Sequence, residues 1–93
     1  MVRKVNASHI LVKGEGEAYV ILKELREGKK FEDLALAKSI CPSRKRGGNL
    51  GWFGRGQMVK EFETATFAAK KGQVVGPVKT QFGYHVIRIE DAK

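Results

Sequence analysis

Three side chains in the 93 residues have nucleophilic or near-neutral acid–base chemistry: His9, His85 and Cys41. In "TQFGYHVIRI" (Thr80 to Ile89) a period of two puts His85, Ile87 and Ile89 on one face, with Tyr84, Val86, Arg88 and Glu90 on the other. "KVNASHILVK" repeats the pattern, since Val5, Ala7, His9 and Leu11 share a face of a second strand. A single histidine on an apolar face reads as a core residue satisfied by a local hydrogen bond. Two in one short chain raise the question of whether they meet. Cys41 with a histidine base would suit a cysteine hydrolase. However, Cys41 follows a helical segment rather than opening one, and nothing in the sequence nominates oxyanion donors or a third group to orient the base. A small buried hydrophobe is the simpler reading of that thiol.

One cysteine and two histidines lack the spacing of a structural zinc site, so no metal is expected. The loop "GGNLGWFGRG" has neither the Lys-Ser/Thr pair nor the GxGxxG spacing of phosphate-binding loops, which discounts nucleotide binding. Its large apolar residues Leu50, Trp52 and Phe53, followed by Met58 and Phe62, are either plain core or the lining of a shallow pocket. A helix starting near Met58 would set Met58 and Phe62 side by side, four residues apart, where they would hold a small apolar ring.

The elements that must position these groups follow from composition and pattern. Residues 1–93 are long enough for one core and too short for two, so a single domain is expected. With 42% hydrophobic and 30% charged residues the chain should fold alone. No apolar run has membrane-spanning length, and "MVRKVNASHI" turns polar before a signal-peptide core forms; a cytoplasmic protein with no membrane contact is expected. The lone cysteine agrees with a reducing compartment. A net charge of +8 invites a nucleic-acid reading, but only "SRKRGG" clusters its cations, at Arg44, Lys45 and Arg46, and a solvated loop accounts for it.

Beyond the first strand, "GEGEAYVILKELREG" predicts a helix with Ala18, Ile21, Leu22 and Leu25 inward and Gly28 at its end. "KFEDLALAKSI" predicts a shorter second helix to about Ile40. Pro42 and five glycines between Gly47 and Gly56 then forbid a continuous helix, leaving a loop with a short strand near "NLGWF". "VKEFETATFAAKKG" predicts a third helix closed by Lys70, Lys71 and Gly72. Two final strand runs turn at Gln81 to Gly83, with Pro77 placed at an edge or strand start. This grouping indicates an α+β domain, an antiparallel sheet carrying helices.

Taken together, "ASHILVK", "SICPSRKRGGNLGWFGRGQMVKEFE" and "GPVKTQFGYHVIRI" resemble the parvulin peptidyl-prolyl cis/trans isomerases, notably the small single-domain prokaryotic ones, over nearly the whole chain. The resemblance implies a parvulin (FKBP-like) fold: a four-stranded antiparallel sheet with about four helices, in β-α-α-β-α-β-β order, with a short extra helix near "GRGQM". It implies that His9 and His85 are hydrogen-bonded beneath the active site, that Thr80 joins them, and that Cys41 holds the cysteine or aspartate position. Met58 and Phe62, with Leu50 and Phe82, match the proline pocket, and Gln57 a substrate-contacting polar position. No cofactor is implied.

The implied function is non-covalent isomerisation of X-Pro bonds in peptides and unfolded protein segments, as a monomeric folding helper. Phospho-directed members carry a long basic loop after the first strand; "VKGEGEA" keeps Lys13 but has Glu15 and Glu17 and almost no loop, so no phosphorylation dependence is expected. A proline-peptide binding module without turnover, a basic nucleic-acid-binding protein and one domain of a larger secreted chaperone are the rival readings.

Overall fold

A computed structural model describes all 93 residues, Met1–Lys93. Four strands, β1 (Lys4–Val12), β2 (Asn49–Gly54), β3 (Val74–Thr80) and β4 (Gly83–Ala92), form one sheet in the order β2-β1-β4-β3. Every neighbouring pair is antiparallel. Three α-helices, α1 (Glu15–Arg26), α2 (Phe31–Lys38) and α3 (Lys60–Ala68), complete the expected α+β order.

The sheet is buried on both faces at its centre. Ile10, Val12 and Val86 pack with Ala18 and Ile21 of α1 and with Phe31, Leu34 and Ala35 of α2. On the opposite face Val5, Ala7, Ile87 and Ile89 pack with Phe53 and with Phe62 of α3. This arrangement puts apolar residues on both faces at the strand centres, at Ile10, Leu11 and Val12 of β1 and at Val86 and Ile87 of β4. Where the first face meets water, Arg88 pairs with Glu32 of α2 at 2.6 Å and with Glu90 at 2.8 Å, and the Ser8 hydroxyl donates to Glu90 at 2.6 Å.

α1 ends as its sequence predicts. Gly28 adopts φ +97°, its N–H donates to Leu25 O and that of Lys29 to Glu24 O, which together satisfy the last carbonyls. α3 ends earlier than predicted, at Ala68, because Ala69 is already extended and the Gln73 side chain accepts from the Lys70 N–H at 3.1 Å. Gly72 therefore turns the chain into β3 instead of capping the helix. The fourth helical element also lies elsewhere than near "GRGQM": it is a 3-10 turn at Pro42–Arg46. At Arg55–Met58 the chain makes a turn instead, closed by Gln57 Oε1 accepting the Gly54 N–H at 2.5 Å. Pro77 lies on edge strand β3, at the irregularity in its pairing with β4.

Candidate functional site

β1 and β4 are the adjacent central strands, and their register sets His9 opposite Ile87 and Leu11 opposite His85. His85 is thus the diagonal neighbour of His9 on one face, within reach of a ring. The two rings lie edge to edge and nearly coplanar, with centroids 5.1 Å apart and an interplanar angle of 21°, and His9 Nδ1 lies 2.9 Å from His85 Nδ1. Thr80, the last residue of β3, places Oγ1 2.7 Å from His85 Nε2, and accepts the Phe82 N–H at 3.2 Å. His9 Nε2 is buried with no partner.

Donor and acceptor counts select the tautomers. If the Thr80 hydroxyl donates to His85 Nε2 and His85 Nδ1–H donates to His9 Nδ1, only the His9 Nε2–H lacks a partner. The reverse direction strands two groups, the Thr80 hydroxyl proton and the His9 Nε2 lone pair. The chain Thr80→His85→His9 is the better satisfied arrangement. Both imidazoles are neutral at pH 7. Burial, followed by the charge of His85, lowers the His9 pKa to about 4, and burial lowers that of His85 to about 4.

Backbone geometry locks His9 in place. Its N–H donates to Gly48 O at 2.9 Å, and Gly48, at φ +87°, lies so close that a Cβ there would stand 2.4 Å from the His9 carbonyl oxygen. Only glycine fits between β1 and the 3-10 turn.

The pair floors an open groove of about 530 Å³. Leu11, Leu50, Met58 and Phe62 give it an apolar interior, while Ile40, 51% exposed, and Phe82, 48% exposed, stand at its rim. Phe62 stands nearly perpendicular to both imidazoles, at 86° and 74° with centroids 5.6 Å and 5.2 Å away, and its centroid lies 6.0 Å from that of Phe53 in the core. Met58 reaches the groove from the turn before α3 rather than from the helix itself, which begins two residues later. Gln57 also lines it, with its amide oxygen committed to the Gly54 N–H.

Cys41 lies on the groove wall, just ahead of the 3-10 turn instead of merely trailing α2. Its Sγ accepts the Ser43 hydroxyl at 3.2 Å, and the histidines bond each other and Thr80, so no thiol–imidazole dyad forms. Of the loop's large residues, Phe53 is core and Trp52 faces outward on edge strand β2, with Lys93 Nζ 4.5 Å from its ring centroid; neither lines the groove.

The groove also contains residues that the sequence reading did not single out as site residues: Leu11, Lys13, Ile40, Pro42 and Val59. Leu11 was accessible from its position two residues after His9 on the same face. Ser39 carried a weaker signal. It is 2% exposed, and its Oγ accepts the Leu11 N–H at 3.0 Å and the Cys41 N–H at 3.3 Å, stitching the segment before Cys41 onto β1. A serine between a helix and Pro42 reads as an ordinary turn residue until β1 is seen beside it. No group of acidic, histidine or cysteine side chains is placed to hold a metal ion.

The geometry agrees with comparisons to known proteins. Residues 9–91 match the family model described as Rotamase, PPIC-type PPIASE domain. The foldase protein PrsA 1 of Bacillus cereus is 50% identical over 91 residues, a match that takes in 97% of this chain and 32% of the relative. Two archaeal proteins match over nearly their whole length. NmPin, the parvuline of Nitrosopumilus maritimus, is 46% identical with a TM-score of 0.84, covering 94% of this chain and 95% of its own. Pin from Cenarcheaum symbiosum is 52% identical with a TM-score of 0.83, covering 96% and 93%. The chain spans about a third of the length of the curated relatives it matches first.

Proposed function

The chain belongs to the PPIC-type peptidyl-prolyl cis-trans isomerase family, the parvulins, and from that premise we propose that its groove isomerises X-Pro bonds in peptides and unfolded protein segments. The observation that carries the reading is an apolar groove floored by two neutral, mutually bonded histidines. Met58, Phe62, Leu50 and Leu11 grip the proline ring, with Phe82 closing the rim. This leaves the preceding carbonyl to swing past Cys41 and the Gln57 amide.

Uncatalysed rotation faces a barrier of ~18–20 kcal/mol. A 10⁴-fold acceleration asks the site for about 5.4 kcal/mol, at about 1.36 per decade. The twisted imide has lost amide resonance and with it charge separation, so a dry site lined by uncharged groups favours it over both planar states. The lowered histidine pKa values fit this role, since a charged imidazolium under the groove would favour the polar planar amide.

Rotation needs no covalent step, and the engagement of the Cys41 thiol with Ser43 supports a polar rather than nucleophilic role. C41S is expected to keep activity within about 10-fold of wild type, one decade being about 1.36 kcal/mol. Complete loss would reinstate attack by the thiol.

Phosphorylation independence rests on the two-residue link Lys13–Gly14 between β1 and α1, and on Glu15 and Glu17 in the first turn of α1. A reducing, cytosolic setting and a monomeric state are the companion proposals. The unpaired Cys41 fits the first; cell fractionation and sedimentation test them.

The direct test is two-dimensional NMR exchange on Ala-Xaa-Pro-Phe peptides, with Xaa as Ala, Leu, Arg, Glu and phosphoserine. Accelerated exchange at catalytic protein concentration supports the isomerase. Binding without acceleration leaves a proline-recognising module.

A further inference from the structure

A second, polar groove of about 550 Å³ adjoins the first and shares Ile40 and Pro42 with it. Lys38, Arg44 and Lys45 line it. Lys38 pairs with Glu24 at 2.6 Å, a carboxylate it shares with Lys29, whereas Arg44 and Lys45 are exposed and make no ion pair. Neither groove has an aspartate or glutamate in its lining. The two free cations stand on a fixed backbone: Arg44 N–H donates to Cys41 O at 3.0 Å, and Gly47 closes the 3-10 turn at φ +67° with its N–H on Arg44 O. The positive charge of Arg44 and Lys45 is therefore held at the end of the apolar groove, with no carboxylate paired to either.

We propose that this second groove is an acidic-residue subsite: Arg44 and Lys45 receive an aspartate or glutamate of the same peptide whose proline occupies the first groove. This deepens the isomerase reading and rests on it. The continuity through Ile40 and Pro42 puts the two side chains within about three residues of each other, roughly 10 Å of extended chain. The recognition is by charge, with no demand for a phosphate, and it leaves the residue directly before proline unselected.

The test scans a single glutamate through a neutral X-Pro peptide, three positions to either side of the proline, and reads kcat/KM by NMR exchange at low and high salt. At the best position wild type is expected to favour the acidic over the neutral peptide by about 5-fold, the scale of two exposed ion pairs. About 0.5 M salt is expected to abolish the preference. R44Q/K45Q is expected to bring the ratio to about 1. K70Q/K71Q, the same charge change outside both grooves, keeps it, and a dispersed NMR spectrum verifies that each variant is folded.

Equal rates for acidic and neutral peptides, or a preference that survives R44Q/K45Q, would overturn the subsite while leaving the isomerase intact. Anionic vesicles that perturb Arg44 and Lys45 without any peptide preference would overturn it in favour of a membrane surface. No acceleration of any peptide would overturn the isomerase reading and the subsite together.

Discussion

Acidification should unlock this domain through its buried histidine pair before its carboxylates respond. In the unfolded chain an imidazole titrates near 6.5, while folded His9 titrates at about 4 because burial and the neighbouring ring oppose its charge. Between these values the unfolded state binds the proton and the folded state does not, so stability rises with pH across this window and is flat above it. At pH 5 the unfolded state holds about 0.9 more protons at this site, a slope of about 1 kcal/mol per pH unit. The full window corresponds to about 3 kcal/mol for His9, a large part of the ~5–15 kcal/mol typical of a small domain. His85 acts in the same direction. Glu24 and Glu32 are held below the usual carboxylate range by hydrogen bonds to Lys29 and Arg88 respectively, so their contribution is lost at lower pH. Urea unfolding followed by circular dichroism at pH 5.0, 5.5, 6.0, 7.0 and 8.0 reads the slope, and imidazole NMR titration assigns it. Stability unchanged from pH 7 to 5, or ring resonances titrating near 6.5, would refute the buried neutral pair.

Three substitutions examine separate parts of the site. M58A removes a groove wall from a turn outside the helices, so kcat/KM should fall by about 10-fold or more, equivalent to ~1.4 kcal/mol or greater, with a smaller change in stability; full activity on peptides would remove Met58 from the pocket. T80V keeps shape but takes the hydroxyl from His85 Nε2 and the Phe82 N–H. It should cost about 1–3 kcal/mol in urea unfolding, and an unchanged midpoint would argue against the Thr80→His85→His9 chain. G48A places a methyl against the His9 carbonyl at positive φ. Destabilisation by more than ~1 kcal/mol and altered His9 resonances are expected, whereas a wild-type spectrum would show that this contact does not hold the histidine.

Local pattern was enough for the four strands and three α-helices, because these depend on short-range regularities, while most of the candidate site residues were named through the family resemblance. Period-two alternation marked the faces of β1 and β4 and put both histidines on apolar ones. The 3.6-residue spacing and the Gly28 signal marked α1. The combination of "ASHILVK", "SICPSRKRGGNLGWFGRGQMVKEFE" and "GPVKTQFGYHVIRI" carried the family resemblance, and through it Thr80, Gln57 and Phe82, while the four-residue spacing had already paired Met58 with Phe62.

What the chain could not state locally was decided by tertiary contacts. Residue pattern alone does not set inter-strand register, so the meeting of His9 with His85 had to come from resemblance, and its 2.9 Å contact from the fold. Near "GRGQM" the Gln57 amide closes a turn on the Gly54 N–H at the end of β2, and the helical turn forms instead over the five residues Pro42–Arg46, with Gly47 closing it. α3 stops short of Gly72 because that glycine's N–H is drawn to Ile89 O of β4, 17 residues along the chain. Trp52 and Phe53, equal candidates by hydrophobicity, were separated by which side of β2 meets α3. Likewise the junction of the apolar and basic grooves at Ile40 and Pro42 exists only once α2, the 3-10 turn and β1 are brought together, since no local pattern encodes which distant surfaces will adjoin.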